Sequence, residues 1–308
     1  MEQLSGQIVQ SSINFSEGRR DNVILAIVGA VKGIQETFVT NYSADPDHNR
    51  MVLTLLGSPQ GIRQAVLAAS RVAVAHIDLR RHTGVHPRIG AVDVVPVTPI
   101  QNVYMEECVL LAQQIGEDLA RELHLPVFFY ELNASPDRTG SLPDIRKGGF
   151  ERLLQEGCFP DLGPQHSHES AGAVVVGARP ALVAWNIRLD GPHLAIARAA
   201  ASQIRRERCE VAILNGVRAL GLLLPSTGIA QISMNLTRPA ESPMPAVFDY
   251  VQKAVEEHEA HVLDSEVIGL IPRSALNGEG PERIRWSDYH HEQIIDNWLK
   301  DEEVLDIV

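Results

Sequence analysis

The chain is poor in the features that define several common protein classes. Its 308 residues include three cysteines, Cys108, Cys158 and Cys209. An odd number without metal or redox spacing excludes a disulfide framework and a cysteine-held metal, and fits a reducing cytoplasm. No apolar run approaches the ~20 residues of a membrane span. The opening MEQLSGQIVQ has neither a basic nor an apolar signal region, so no signal peptide is expected. Positive charge is scarce: 27 Lys and Arg stand against 39 Asp and Glu, a formal net charge of -12. Nucleic acid and anionic membranes both require a basic surface, so neither is an expected partner. An anionic ligand must instead be held by local Arg or Lys. The nucleophile elbow G-x-S-x-G, the P-loop and the dinucleotide fingerprint G-x-G-x-x-G are absent.

What is present is a regular alternation of strands and helices. GQIVQSSINF reads as a strand and RRDNVILAIVGAVKGI as a helix. ETFVTNYSA and RMVLTLLG are strands joined by the turn DPDHN. SPQGIRQAVLAASRVAVAHIDLRR is a long helix with Ser58 at its N-cap and Pro59 at its first position. Ile62, Val66, Ala69 and Ala73 form its buried stripe. AVDVVPV completes a β-α-β-β-α-β unit. A further helix carries Cys108, Leu111, Ile115, Leu119 and Leu123 on one face and feeds the strand PVFFYEL. Between Asn133 and Ala171, Gly, Pro, Ser, Asp and His dominate, and long loops without an apolar stripe are expected. The β-α-β-β-α-β order then recurs from ALVAWNIRL to LDSEVIGLIP, with Val247, Val251 and Val255 on one side of its second helix. The tail DYHHEQIIDNWLKDEEVLDIV reads as a terminal helix. The expected fold is α+β: two split-βαβ, ferredoxin-like subdomains, each a sheet with helices on one face, over residues 1–180 and 181–308.

HTGVHPRIGAVDVVP, His82 to Pro96, is the stretch with chemistry in it. Pro87 biases His86 toward an extended conformation, and Gly84 and Gly90 allow tight turns on either side. An extended His86 to Arg88 would present an imidazole and a guanidinium to the same side. Asp93 lies inside an apolar strand, where an ionised carboxylate needs a partner. The set suits proton transfer near neutral pH. An ordinary hydrogen-bonded loop histidine is the competing reading. A metal held by His82 and His86 is disfavoured, because Gly84 and Pro87 oppose the helix which that spacing needs.

Eight segments in order extend this reading: NFSEGR from Asn14, HPRIGAVDVVP from His86, MEEC from Met105 and LPDIRKGG from Leu142, then PDLGP from Pro160, GAVVVGAR from Gly172, NIRL from Asn186 and EVIGLIP from Glu266. Together they resemble the glutamate formimidoyltransferases, the folate-dependent enzymes of histidine breakdown. The resemblance implies two α+β subdomains with a folate tunnel between them, a cytoplasmic homodimer, and transfer of the formimino group of N-formimino-L-glutamate to N5 of tetrahydrofolate. It matches His86 to the family's catalytic acid/base. It matches Gly163, Pro164, Gln165, His166, Ser167, His168, Glu169, Ser170, Ala171 and Gly172 to a folate-contacting loop, and Leu214 to Gly221 to a second such stretch. No cyclodeaminase part is expected after it. The chain departs from the family at Asn41 and Ser43, where an acidic pair is usual, and at Val85, where Glu is common. In the second folate stretch only Arg218 is basic.

The reaction needs a carboxylate for the cationic formimino group, with Glu17, Asp45 and Asp93 as candidates. It needs forked donors for glutamate carboxylates, with Arg50, Arg88, Arg138, Arg146 and Arg179 available. Asn14 is a further substrate-binding candidate. Two readings stay open beside this one: an inactive folate-binding dimeric homologue, and a related transferase using another formimino or formyl donor.

Overall fold

The computed structural model describes residues 4–300, in two compact units divided after Pro180. In the first unit β1 (Ile8–Phe15), α1 (Asp21–Ala30), β2 (Thr37–Asp45), β3 (Arg50–Gly57), α2 (Pro59–His76) and β4 (Val92–Gln101) follow in the expected order. After them come α3 (Met105–Leu123), β5 (Val127–Phe129), α4 (Leu142–Ile145), α5 (Gly149–Glu156) and β6 (Val174–Ala178). The sheet order is β2-β3-β1-β4-β6-β5. β1 pairs antiparallel with β3 and β4, while β6 runs parallel to both β4 and β5.

Alternation along the strands sets the two faces of this sheet. Val9, Ile13 and Phe15 of β1 and Met51, Leu53 and Leu55 of β3 enter a core closed by Ile62, Val66, Ala69 and Ala73 of α2 and Cys108, Ile115 and Leu119 of α3. Each large apolar side chain buried there stabilises by roughly 1.5–3 kcal/mol. The intervening residues Asn14, Arg50 and Thr54 therefore fall on the opposite face. Ser58 caps α2 by accepting from the Gly61 N–H at 3.1 Å, which fixes where the long helix starts.

The second unit repeats the connectivity. β7 (Val183–Leu189), α6 (Leu194–Glu207), β8 (Val217–Leu224), β9 (Ile229–Leu236), α7 (Met244–Glu256) and β10 (Val262–Ile268) build a sheet of order β10-β7-β9-β8. This is the order of the first four strands of the other unit, read from the opposite edge. Trp185 stacks on Phe248 at 6.3 Å between ring centroids, and Val247, Val251 and Val255 line the buried side of α7.

Two expectations need correction. The stretch from Asn133 to Ala171 is not free of packing. Ile145 of α4, Leu153 of α5 and Cys158 join Ile89, Val94, Tyr130, Ala173 and Val175 in a satellite core. Its apolar residues are spaced over short helices and bends, so no single stripe announces them. The tail is not a helix where it is described. Single 3-10 turns at His291–Gln293 and Ile295–Trp298 bury Ile294, Ile295 and Trp298, and residues 301–308 lie outside the described range.

Candidate active site

The C-terminal end of β1 meets the starts of β3 and β4, with Phe15 opposite both Met51 and Val92. Three loops leave from this edge, and they line one small pocket: Ser16 after β1, His48, Asn49 and Arg50 at the β2–β3 turn, and His82, His86, Arg88 and Asp93 around the start of β4.

The His86 loop is held by its backbone. Ser16 donates its hydroxyl to the Gly90 carbonyl at 2.7 Å and its N–H to Ala91 O at 3.0 Å. Asp93 Oδ1 accepts the N–H of Ile89 at 2.8 Å and of Gly90 at 3.3 Å. The glycines are needed for room. A Cβ on Gly90 would stand 1.9 Å from Ala173 O, and one on Gly84 2.3 Å from His48 O. His86 Nδ1 lies 2.8 Å from Pro87 O. A carbonyl only accepts, so Nδ1 carries the proton and Nε2 keeps its lone pair. Burial first, and then the charges of Arg50 and Arg146, push the His86 pKa down to about 2. The ring is neutral near pH 7.

The guanidiniums around it differ in how committed they are. Arg50 donates Nε–H to Asn14 Oδ1 at 2.7 Å, and burial, then Arg146, lowers its pKa to about 10. Arg146 pairs with Asp93 Oδ2, and its Nε is buried without a partner. Arg88 is fully engaged. It forks onto both oxygens of Glu151 at 2.7 and 2.8 Å, and donates Nε–H to His82 Nδ1 at 3.1 Å. His82 therefore carries its proton on Nε2, which donates to Asn49 O at 2.8 Å. Asn49 is the hub: buried, with φ 48°, it accepts the Gly18 N–H through Oδ1 and donates Nδ2–H to Thr83 O, both at 3.0 Å.

Family models match both units. The formiminotransferase domain, N-terminal subdomain, matches residues 8–179, which include the whole pocket. The formiminotransferase domain matches residues 184–293. A glutamate formimidoyltransferase from Streptococcus pyogenes serotype M1 is 37% identical over 298 residues, covering 95% of this chain and 99% of the relative. The chain belongs to the formiminotransferase family. A glutamate formimidoyltransferase from Thermoplasma acidophilum is 34% identical over 87% of this chain and 89% of that relative. The formimidoyltransferase-cyclodeaminase of Sus scrofa is 37% identical over 88% of this chain, but the match spans only 51% of that longer protein.

Not every formiminotransferase site residue expected from the sequence brings a free group to this pocket. Glu17 is buried, and both oxygens of its carboxylate are engaged: Oε1 accepts the N–H of Arg19 and Arg20, and Oε2 accepts Arg20 Nε–H at 2.6 Å. Burial alone would raise its pKa, and these donors outweigh it, so the net shift is downward. Asp93 spends both oxygens on the loop and on Arg146. Arg138 is tied to Phe159 O and Asp161, and Arg179 donates to Pro180 O at 2.9 Å. The Gly163–Gly172 segment and the residue after it brace the His86 loop: Ala91 N donates to Ala171 O at 2.8 Å and Ala173 N to Ile89 O at 2.9 Å. His48 and Asn49 escaped the sequence reading because DPDHN has the composition of an ordinary turn; Asn at a left-handed position was its only signal.

Arg88→Lys is expected to lower kcat by at least about tenfold, with the KM values changed less. A point charge cannot hold Glu151 and the His82 tautomer together. Glu151→Gln should shift kinetics in the same direction. Steady-state kinetics in which the Lys variant matches wild type would show that the fork is dispensable.

Acid should destabilise the fold through its histidines. His82, His86 and His168 all have pKa values lowered, with burial the largest cause. Below about pH 6.5 the unfolded chain binds these protons and the folded chain resists them, so stability falls as pH falls. The Tm of His86→Gln should drop less than that of wild type between pH 7 and pH 5. Parallel curves would contradict a neutral His86.

Proposed function

We propose that this formiminotransferase moves the formimino group of N-formimino-L-glutamate to N5 of tetrahydrofolate, giving 5-formiminotetrahydrofolate and L-glutamate in histidine degradation. The observation that carries the reading is a neutral histidine with a free Nε2, set beside Arg50 and Arg146 in a family whose relatives are named for this transfer. His86 Nε2 takes the proton of folate N5 as that nitrogen attacks the amidine carbon, which contributes roughly 10²–10⁴-fold. Holding both substrates together contributes through effective concentration. Arg50 is the guanidinium that we assign to a substrate carboxylate, since Asn14 is its hydrogen-bond partner and no carboxylate is bonded to it among the described residues. Asp45 offers no free carboxylate either: Oδ1 accepts the N–H of Asp47 and of His48, and Oδ2 faces His48 Nδ1 at 3.2 Å.

Folate as co-substrate, contacts from Gly163–Gly172, subdomains at 1–180 and 181–308, a homodimer and a cytoplasmic location belong to the same proposal. The supporting feature of the loop is that Gly163, Gln165, His166 and Glu169 are exposed while its neighbours brace the His86 segment. The test is turnover. Purified protein with both substrates should release L-glutamate and form 5-formiminotetrahydrofolate in equal amounts. Folate binding without glutamate release would instead mark an inactive binder, and release with other donors but not this one would mark a related transferase.

A further inference from the structure

The pocket holds a second imidazole that the transfer described above does not use. His48 sits in the turn between β2 and β3. Its Nδ1 lies 3.2 Å from Asp45 Oδ2. Asp45 is itself fixed, because Oδ1 accepts the N–H of Asp47 and of His48, each at 2.8 Å. The carboxylate holds the ring proton on Nδ1 and leaves Nε2 with its lone pair. That Nε2 is buried and has no hydrogen-bond partner, in a side chain only 11% exposed. A buried polar atom left alone is costly, so its retention points to a partner supplied during function. The ring stands edge-on to His86 with centroids 5.9 Å apart, and both line the same pocket.

We propose that His48, oriented by Asp45, is a second proton-transfer residue: it takes the proton from His86 and delivers it to the departing glutamate nitrogen. The proposal rests on the formimino-transfer reading. The folate N5 lone pair forms the new N–C bond, and the C=N electron pair of the amidinium moves onto its imino nitrogen. The N5 proton goes to His86 Nε2. Beside Arg50 and Arg146 the resulting imidazolium is poorly placed to keep it, and the proton passes to His48 Nε2, directly or through one water. The C–N bond to glutamate then breaks with its electron pair on nitrogen, which takes that proton from His48. The former imino nitrogen restores C=N. Both imidazoles end neutral, and no further reactant is consumed. The charged and titratable groups around His48 are Asp45 on its own turn and, lining the same pocket, Arg50 at the start of β3 and His82, His86, Arg88 and Asp93 around the β4 loop, with Arg146 acting on His86 and Arg50.

The experiment compares wild type, His48→Gln and Asp45→Asn for kcat, both KM values and the pH profile of kcat/KM. Wild type should release glutamate. His48→Gln should lose at least about tenfold in kcat, keep both KM values within about twofold, and change the pH profile of kcat/KM. Added imidazole should restore part of the rate of His48→Ala. Asp45→Asn should show a smaller loss in kcat and a changed pH profile, and it carries the test if the His48 variants fail to fold. Wild-type kcat and an unchanged pH profile in a folded His48→Gln, or in Asp45→Asn where only that variant folds, would overturn the relay alone. No glutamate release from wild type would overturn the formimino-transfer reading, and the relay with it.

Discussion

His86→Ala is expected to lose formimino transfer by roughly 10²–10⁴-fold while folding normally and binding folate with near wild-type affinity. The side chain is only half-buried, and its one hydrogen bond runs to the carbonyl of the next residue. Removing it therefore disturbs little packing. The loop stays in place through bonds that do not involve the imidazole, namely Ser16 to Gly90 and Ala91, and Ile89 and Gly90 to Asp93. Loss of rate without loss of binding separates a proton-transfer group from a binding group. The measurement is kcat alongside a folate titration and a melting curve on the same preparation. Turnover within a few-fold of wild type would remove His86 from the chemistry, whatever the family resemblance implies.

The parts of this molecule that were legible in its sequence are those governed by local rules. Ser58 followed by Pro59 announces a helix start because a side-chain oxygen and a fixed φ act over a single turn, and Ser58 does accept the Gly61 N–H. The repeated β-α-β-β-α-β order follows from period-two and period-3.6 burial, and both units show it. His86 stood out because Gly84, Pro87 and Gly90 frame it. The function of those glycines was less accessible: neither has a positive φ, and each instead admits a carbonyl from another segment. Such contacts are tertiary, and no local pattern encodes them. The same limit explains Arg88. Its spacing from His86 suggested a substrate-facing pair, but α5 places Glu151 against the guanidinium across 63 residues of sequence. His48 was hidden for the converse reason. Its turn looks ordinary until folding brings it to the His86 ring.

Asp93→Ala is expected to destabilise the first unit by roughly 3–5 kcal/mol, the usual loss when one member of a buried ion pair is removed. That is a large part of a total stability of about 5–15 kcal/mol. Asp93 is 2% exposed, and its carboxylate serves two tasks. Oδ1 closes the turn after His86 by accepting two backbone N–H groups, and Oδ2 pairs with Arg146. Truncation strands both N–H groups and leaves a guanidinium whose Nε is already without a partner. Asp93→Asn should fall between wild type and Ala, because an amide oxygen still accepts from Ile89 and Gly90. Adding Arg146→Met to Asp93→Ala should recover part of the loss, since the uncompensated charge is then gone. Urea unfolding of the four proteins gives the order, and an Ala variant within about 1 kcal/mol of wild type would contradict it. The comparison also decides what Asp93 does in turnover. A carboxylate that held the cationic formimino group would show its loss as a raised KM for formiminoglutamate even in the folded Asn variant. A carboxylate that fixes the His86 turn shows it in kcat, and the geometry of Oδ1 and Oδ2 requires the second outcome.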